Sequence, residues 1–374
     1  MKTRAAVLSE MGRPRPYSQT RPLTIEEVEI DPPGPGEVIV RMRAAGLCHS
    51  DLSVINGDRP RQMPMIIGHE GAGEVAEVGA GVRDLRPGDH VVAAFVPCCG
   101  SCEPCTTGRP ALCEPGFKAN STGTLLGGGQ RMRRGGAIVN HHLGVSAFAE
   151  HAIMVRQSLI KVDADLPFDE AAVFGCAVMT GVGAVTNTVQ PRPGSSIAVI
   201  GLGGVGLAAL LGTQLLDAAI VIACDLSAEK LALARRMGAT HTVDAADPKA
   251  IERIKDLTRG GVHYAFEMAG SVKAMELAYS ATRRGGTTVT AGLSNPKHLF
   301  SIPHVGIVAE ERTIKGSYLG SCDPARDIPR YIEMYRAGRL PIDRLLSERL
   351  GLEQLNEGFD RLADGKTVRQ ILTL

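Results

Sequence analysis

Residues 196–225 read SIAVIGLGGVGLAALLGTQLLDAAIVIACD. The apolar, β-prone run Ser196 to Ile200 meets Gly201, Gly203 and Gly206 in the spacing G-x-G-x-x-G, and an apolar helical segment follows. A second apolar run, Ala219 to Cys224, ends in Asp225, about 20 residues past the last glycine, which is the separation of a dinucleotide-binding βαβ unit. The three glycines do different things. Gly201 makes the tight turn, Gly203 lets the backbone approach a pyrophosphate, and Gly206 lets helix and strand pack closely. The helix N-terminus then offers free N–H groups and partial positive charge to phosphates. A carboxylate at Asp225 would accept hydrogen bonds from the adenosine ribose hydroxyls and repel a 2′-phosphate, so the expected cofactor is NAD rather than NADP. The run is apolar enough to imitate a membrane helix, but its glycines, Gln214 and Asp217 argue for a buried α/β element.

A chain of 374 residues is too long for one ordinary core and implies two domains. With 41 basic and 40 acidic side chains, the net charge of +1 gives no electrostatic reason to expect a nucleic-acid or membrane partner. The opening MKTRAAVLSE has no apolar signal core, and a cytoplasmic location is expected. Nine cysteines in such a setting are metal ligands or free thiols rather than a disulfide framework. Tryptophan is absent and aromatics make up 4 %, so aliphatic residues, alanine and glycine must fill the interior.

Up to about residue 155 the sequence is a series of short β-type runs broken by Gly and Pro, among them Glu37–Arg43, Gly73–Val78 and His90–Phe95. Phe117 to His142 lacks periodicity and is expected to be a long surface loop, with Arg131, Arg133 and Arg134 solvated. Beyond Phe168 helical segments alternate with the strands Ser196–Ile200, Ala219–Cys224, His263–Glu267 and Thr287–Ala291, the pattern of a parallel sheet covered by helices. The expected class is α/β: a doubly wound parallel sheet plus a mainly-β domain, to which the tail, with helical Asp327–Ala337 and strand-like Arg369–Leu374, returns.

Cys99, Cys102, Cys105 and Cys113 form C-x2-C-x2-C-x7-C. Thiolates this close can converge on one tetrahedral Zn²⁺ with no open position, a structural site, which leaves Cys98 spare. Three of them could also suit an iron–sulfur cluster, but no electron-transfer motif accompanies them. A second group, Cys48, His49, Ser50 and Asp51 with Gly68, His69 and Glu70, puts a thiol, imidazoles and acids in the β domain. Spacing alone leaves that group open, because a buried cysteine behaves as a small hydrophobe and a lone histidine is usually structural.

Taken together, the G-x-C-H-x-D segment from Gly46, the G-H-E-x-x-G segment from Gly68 to Gly73, the cysteine lobe, Gly175-Cys176 with Thr180-Gly181, and the glycine fingerprint resemble the zinc-dependent alcohol dehydrogenases of the medium-chain dehydrogenase/reductase superfamily. The resemblance covers nearly the whole chain. It implies a GroES-like catalytic domain over residues 1–177 with the cysteine lobe at about 97–115, a Rossmann domain over 178–317, and a return to the catalytic domain over 318–374. It also implies two zinc ions and one NAD per subunit and a homodimer. Cys48, His69 and Cys176 would bind a catalytic zinc, a Lewis acid that eases alcohol deprotonation before hydride transfer to nicotinamide. Asp51 would orient the ligating imidazole, Glu70 would lie beside the metal, and Ser50 would carry the substrate proton. His49, Thr180, Gly201, Gly203, Gly204, Val205, Gly206, Asp225, Lys230 and Arg369 would contact the cofactor, while Phe95, His142, Leu143, Leu293 and Tyr318 would line the substrate pocket.

The sequence departs from the family in two places. Relatives hand the proton outward through a histidine where this chain has Ser53, which is no base near pH 7. Relatives that oxidise S-(hydroxymethyl)glutathione carry an arginine where this chain has Phe117, so an apolar pocket for primary or aromatic alcohols ranks ahead of that sister activity unless Arg59 or the 131–134 arginines substitute. The reading from another class, a nucleotide-binding structural or regulatory protein without catalysis, is disfavoured by the intact Cys48, His69, Cys176 and Ser50.

Overall fold

A computed structural model describes residues 1–374. The chain divides into two compact units, one made of Met1–Cys176, Asp323–Arg330 and Leu346–Leu374, the other of Ala177–Cys322 and Tyr331–Leu345.

The first unit is mainly β. Strands Lys2–Leu8, Leu23–Ile30, Met132–Arg134, Ala137–His141 and Met65–Ile66 close a small barrel. Ala5, Val7, Val28, Ile30, Ile66, Met132 and Val139 fill its interior. In a second sheet the strand Glu37–Gly46 pairs with Gly71–Val78, with His151–Val155 and with the C-terminal strand Arg369–Thr373. The C-terminal strand lies inside that sheet, flanked on its other side by Leu346–Leu350.

The expected loop over 117–142 is not one. The helix Glu114–Thr122 and the strands Met132–Arg134 and Ala137–His141 occupy it, and Leu125, Met132, Val139, His141 and His142 are buried. Nor are its arginines merely solvated: Arg131 Nε binds Glu37 at 2.8 Å, Arg133 meets Asp31 at 3.3 Å and Arg134 meets Glu26 at 3.1 Å.

The second unit holds a six-stranded parallel sheet in the order His241–Asp244, Ile220–Asp225, Ser196–Ile200, Val262–Glu267, Thr282–Thr290, Thr313–Gly316. Numbered along the chain this is 3-2-1-4-5-6, the doubly wound dinucleotide-binding order, whose reversal point lies beside the first strand. Ile197, Ala198, Val199 and Ile200 are all buried, as a central parallel strand covered on both faces requires. The apolar segment Phe168–Val189 is long enough to span a membrane by composition alone, yet 83 % of its apolar window is buried within the protein. Two of its turns, Phe174–Val178 and Ala184–Val189, are π-helical.

Candidate active site

Cys48, His69 and Cys176 come from three different segments of the first unit. Cys48 caps the helix His49–Ile55 in extended conformation. His69 follows the short strand Met65–Ile66, and Cys176 lies in the π-helical turn Phe174–Val178. That turn runs so close to its neighbour that a Cβ on Gly175 would stand 2.1 Å from the Ala93 carbonyl oxygen, so only glycine fits before Cys176. The two sulfurs and the ring nitrogen lie within 4.8 Å of one another, with Cys176 Sγ 3.4 Å from His69 Nε2. All three side chains are buried.

Electrostatics prepares them unequally. A hydrogen bond from Cys176, reinforced by His69, holds Cys48 well below the ordinary thiol range. Cys176 is pushed well above it, first as the donor to Cys48 and then by burial. Burial alone would lower His69, but the charge of Asp51 and its hydrogen bond raise it well above its usual value. Two soft sulfurs, the Cys48 one held toward its thiolate form, and one imidazole converging out of water form a donor set suited to Zn²⁺; ligation would require His69 Nε2 to be unprotonated.

Asp51 is wholly buried and meets its neighbours through both oxygens. Its Oδ2 accepts from Cys48 N at 3.3 Å, while its Oδ1 accepts from Gly68 N at 3.2 Å and from His69 Nδ1 at 2.9 Å. His142 Nε2 is also 3.2 Å from Oδ1, a contact that the sequence alone does not announce. The Phe95 ring stands edge-on to His69 at 5.2 Å, with Leu143 half-buried beside His142 in sequence. Glu70 and Arg369 are both buried and meet at 3.1 Å; burial pushes Glu70 up to about 7 against the opposing pull of Arg369. Ser50 is half-buried and His49 exposed, and Ser53 Oγ donates to the His49 carbonyl at 2.8 Å.

The four cysteines of the lobe also converge, their sulfurs within 4.8 Å of one another. Backbone N–H groups already point at them: Cys99 Sγ accepts from Cys102 N at 3.3 Å and Cys113 Sγ from Cys99 N at 3.2 Å. Hydrogen bonds from Ser101 and Cys102 lower Cys99 to about 6, so a thiolate forms readily there. Cys98 points elsewhere, toward the Val96 and Pro110 carbonyls at 3.4 and 3.6 Å, and burial pushes its thiol up to about 12.

In the second unit the glycine loop has the shape of a phosphate cradle. Gly201 has φ +89°, and a Cβ on Gly206 would lie 1.7 Å from the Gly201 carbonyl oxygen, whereas one on Gly203 would meet nothing within 4 Å. Gly203 therefore leaves open space at the N-terminus of the helix Gly204–Thr213, where Val205 lies in the first turn. Asp225 Oδ2 accepts from Leu202 N at 2.6 Å and Oδ1 from Ser227 N at 2.9 Å, which ties the acid to the loop. Thr180 is buried, Lys230 and Tyr318 are half-buried and Leu293 is exposed, all in this same unit. Glu267, not singled out from sequence, accepts from Ala269 N, Gly270 N and Thr290 Oγ1 at 2.6–2.8 Å. Its signal was an acid at the carboxyl end of a parallel strand, where such sheets place ligands.

The sequence matches the Alcohol dehydrogenase GroES-like domain over residues 34–164 and the Zinc-binding dehydrogenase domain over residues 204–337. It is 39 % identical to the NDMA-dependent alcohol dehydrogenase of Amycolatopsis methanolica, covering all of this chain and 99 % of that one. It is 34 % identical to the S-(hydroxymethyl)glutathione dehydrogenase of Escherichia coli over the full length of both. The crystal structure of benzyl alcohol dehydrogenase from Acinetobacter calcoaceticus superposes with a TM-score of 0.92 at 30 % identity, covering all of this chain and 99 % of that one. The chain belongs to the zinc-dependent alcohol dehydrogenases of the medium-chain superfamily. It is an oxidoreductase acting on the CH–OH group of alcohols, with a GroES-like and a Rossmann domain.

Proposed function

We propose that the chain interconverts primary or aromatic alcohols and their carbonyl products with NAD, using one zinc held by Cys48, His69 and Cys176 and a second held by Cys99, Cys102, Cys105 and Cys113. The observation that carries this reading is the convergence of two buried sulfurs and one imidazole nitrogen within 4.8 Å. Zinc, when bound, supplies Lewis acidity toward an alcohol or carbonyl oxygen, and NAD supplies the hydride acceptor.

The chain's own residues do the rest. Asp51 fixes the His69 tautomer by accepting from Nδ1 at 2.9 Å, leaving Nε2 for ligation. Ser50 accepts the substrate hydroxyl proton and passes on its own. Ser53 cannot continue the relay, since its hydroxyl is committed to the His49 carbonyl; the proton leaves through water or another group. Glu70 stays beside the ligands, neutral for part of the time near pH 7. Thr180, Lys230 and the Gly201–Gly206 loop of the second unit hold the cofactor, and Asp225 selects NAD. Phe95 and Leu143 of the first unit supply the apolar surface for the substrate.

Supporting the substrate class is the benzyl alcohol dehydrogenase likeness together with the apolar Phe95 beside His69. The relative that acts on S-(hydroxymethyl)glutathione keeps that activity as the second reading. Phe117 is 70 % exposed, and Arg131, Arg133 and Arg134 are committed to carboxylates, which leaves them poorly placed to receive the thiol's carboxylate. Absorbance at the reduced-nicotinamide band, with benzyl alcohol, ethanol, or formaldehyde plus a thiol and with NAD or NADP, tests the proposal. Fastest turnover of benzyl alcohol with NAD is expected; faster turnover of the thiol adduct would favour the sister activity. No turnover from a zinc-replete preparation would return the non-catalytic reading.

A homodimer belongs to the same proposal. The sheet edge Thr313–Gly316 is exposed at all four residues and paired on one side only, and Val305 and Val308 are 71 % and 70 % exposed. Light scattering should give twice the chain mass, and Val308→Asp should halve it. A cytoplasmic location is part of the same proposal, and cell fractionation checks it.

A further inference from the structure

Asp51 Oδ1 is approached by three nitrogen atoms: Gly68 N at 3.2 Å, His69 Nδ1 at 2.9 Å and His142 Nε2 at 3.2 Å. His142 is 1 % exposed, and neither of its ring nitrogens makes an aligned hydrogen bond. Its ring stands edge-on to that of His69 with centroids 5.8 Å apart. The backbone holds it there through a strained turn. Leu143 and Ser146 have φ of +52° and +53°, a region L residues avoid, and His142 N donates to Ser146 Oγ at 2.9 Å. Strain of this kind persists where the surrounding structure fixes a side chain for a purpose.

We propose that His142 is a positioning residue of the metal centre, sharing the Asp51 carboxylate with His69 and so limiting the negative charge that reaches the metal-binding imidazole. The inference rests on the reading of Cys48, His69 and Cys176 as metal ligands. Two consequences of removing His142 oppose each other. A loosened Asp51 would orient His69 poorly and weaken the site. A carboxylate relieved of one partner would instead pull harder on His69 Nδ1–H, making that imidazole a stronger donor. The second effect wins because Asp51 stays tethered by two backbone donors, Cys48 N at 3.3 Å and Gly68 N at 3.2 Å, which His142 does not supply. His142 therefore keeps the ion more electrophilic at the expense of a weaker grip.

The test uses the full chain loaded with Zn²⁺ and, in parallel, Co²⁺, and follows metal transfer to a chromogenic chelator. The release phase that Cys48→Ser abolishes belongs to this site; absence of such a phase in the unaltered protein would overturn the metal reading itself. His142→Phe, which keeps bulk and removes the nitrogen, is expected to slow that phase by about two- to fivefold, a modest part of the effect known for outer partners of ligands. His142→Gln, which keeps an N–H, should release like the unaltered protein. In the Co²⁺ form the visible bands should shift in H142F and not in H142Q, and kcat for alcohol should fall in H142F with KM little changed. Release in H142F that is unchanged or faster overturns the proposal, because loss of mere structural support loosens a site. Should H142F fail to fold, H142M removes the same nitrogen with less demand on shape and is judged by the same criterion.

Discussion

Glu70 Oε2 lies 3.1 Å from Arg369 Nη1, and both side chains are shut away from water. Arg369 also donates to the Leu47 carbonyl at 2.9 Å, while neither Glu70 oxygen has an aligned hydrogen-bond donor. The carboxylate thus depends on one cation. Arg369→Leu strands it; breaking a buried pair with the charge kept costs about 3–5 kcal/mol, and because Glu70 already sits at about 7 and can take up a proton, the loss at neutral pH is smaller than that. Denaturant unfolding should show that loss, and the double variant E70Q/R369L should recover most of it. A single variant as stable as the parent would mean the pair contributes nothing.

Acid should find a weak point at His141. Its ring is fully buried, and burial, aided by Arg131, pushes its pKa down to about 3, against about 6.5 in the unfolded chain. The unfolded state therefore takes up a proton first as pH falls, so stability drops from about 6.5 downward and levels off only near the folded value. The slope from this one group is about 1.4 kcal/mol per pH unit. His141→Gln should flatten unfolding free energy between pH 4 and 6 by roughly that slope; an unaltered slope would show that the ring is not the cause.

Metal content separates the cysteines. Cys105→Ser should leave the protein with one zinc per chain instead of two and a lower melting temperature, since the lobe has no other cross-link. Cys98→Ser should keep both equivalents, because its sulfur faces the Val96 and Pro110 carbonyls. Elemental analysis after gel filtration decides between these outcomes, and loss of zinc from C98S would reassign the ligand set.

Two glycine variants should fail in different ways. Gly206→Ala drives a Cβ to 1.7 Å from the Gly201 carbonyl oxygen, so the loop and helix must part and the melting temperature should fall. Gly203→Ala meets nothing within 4 Å and should fold normally, yet its methyl group occupies the space kept for a pyrophosphate. Calorimetric titration with NAD should show binding weakened by about tenfold or more in G203A without a change in melting temperature. Unimpaired NAD binding by G203A would remove the assignment of that loop.

The parallel sheet was legible because its signals are local: apolar runs, glycine spacing and an acid at a strand end. Ser196–Ile200 is a strand at the expected residues, and the neighbouring strands shift by one to five residues at their starts. The cysteine cluster was legible for the same reason. The stretch from Phe117 to His142 was not, since its strands Met132–Arg134 and Ala137–His141 have three and five residues, too few to display a period. Their partners lie in distant strands such as Leu23–Ile30, and the pairing of Arg131 with Glu37 arises only when the barrel closes. The contact between His142 and Asp51 was hidden likewise, because each residue taken singly had a different reading.

Where the last strand sits has a bearing on how the protein is made. Ala44 to Gly46 pair with Ile371 to Thr373, and Leu47 is joined to Arg369, 322 positions further on. A nascent chain leaving the ribosome therefore carries a bare backbone edge next to Cys48 until the strand Arg369–Thr373 has been made. That edge is open to mispairing throughout, which makes the early catalytic half the portion most in need of chaperone shelter during synthesis.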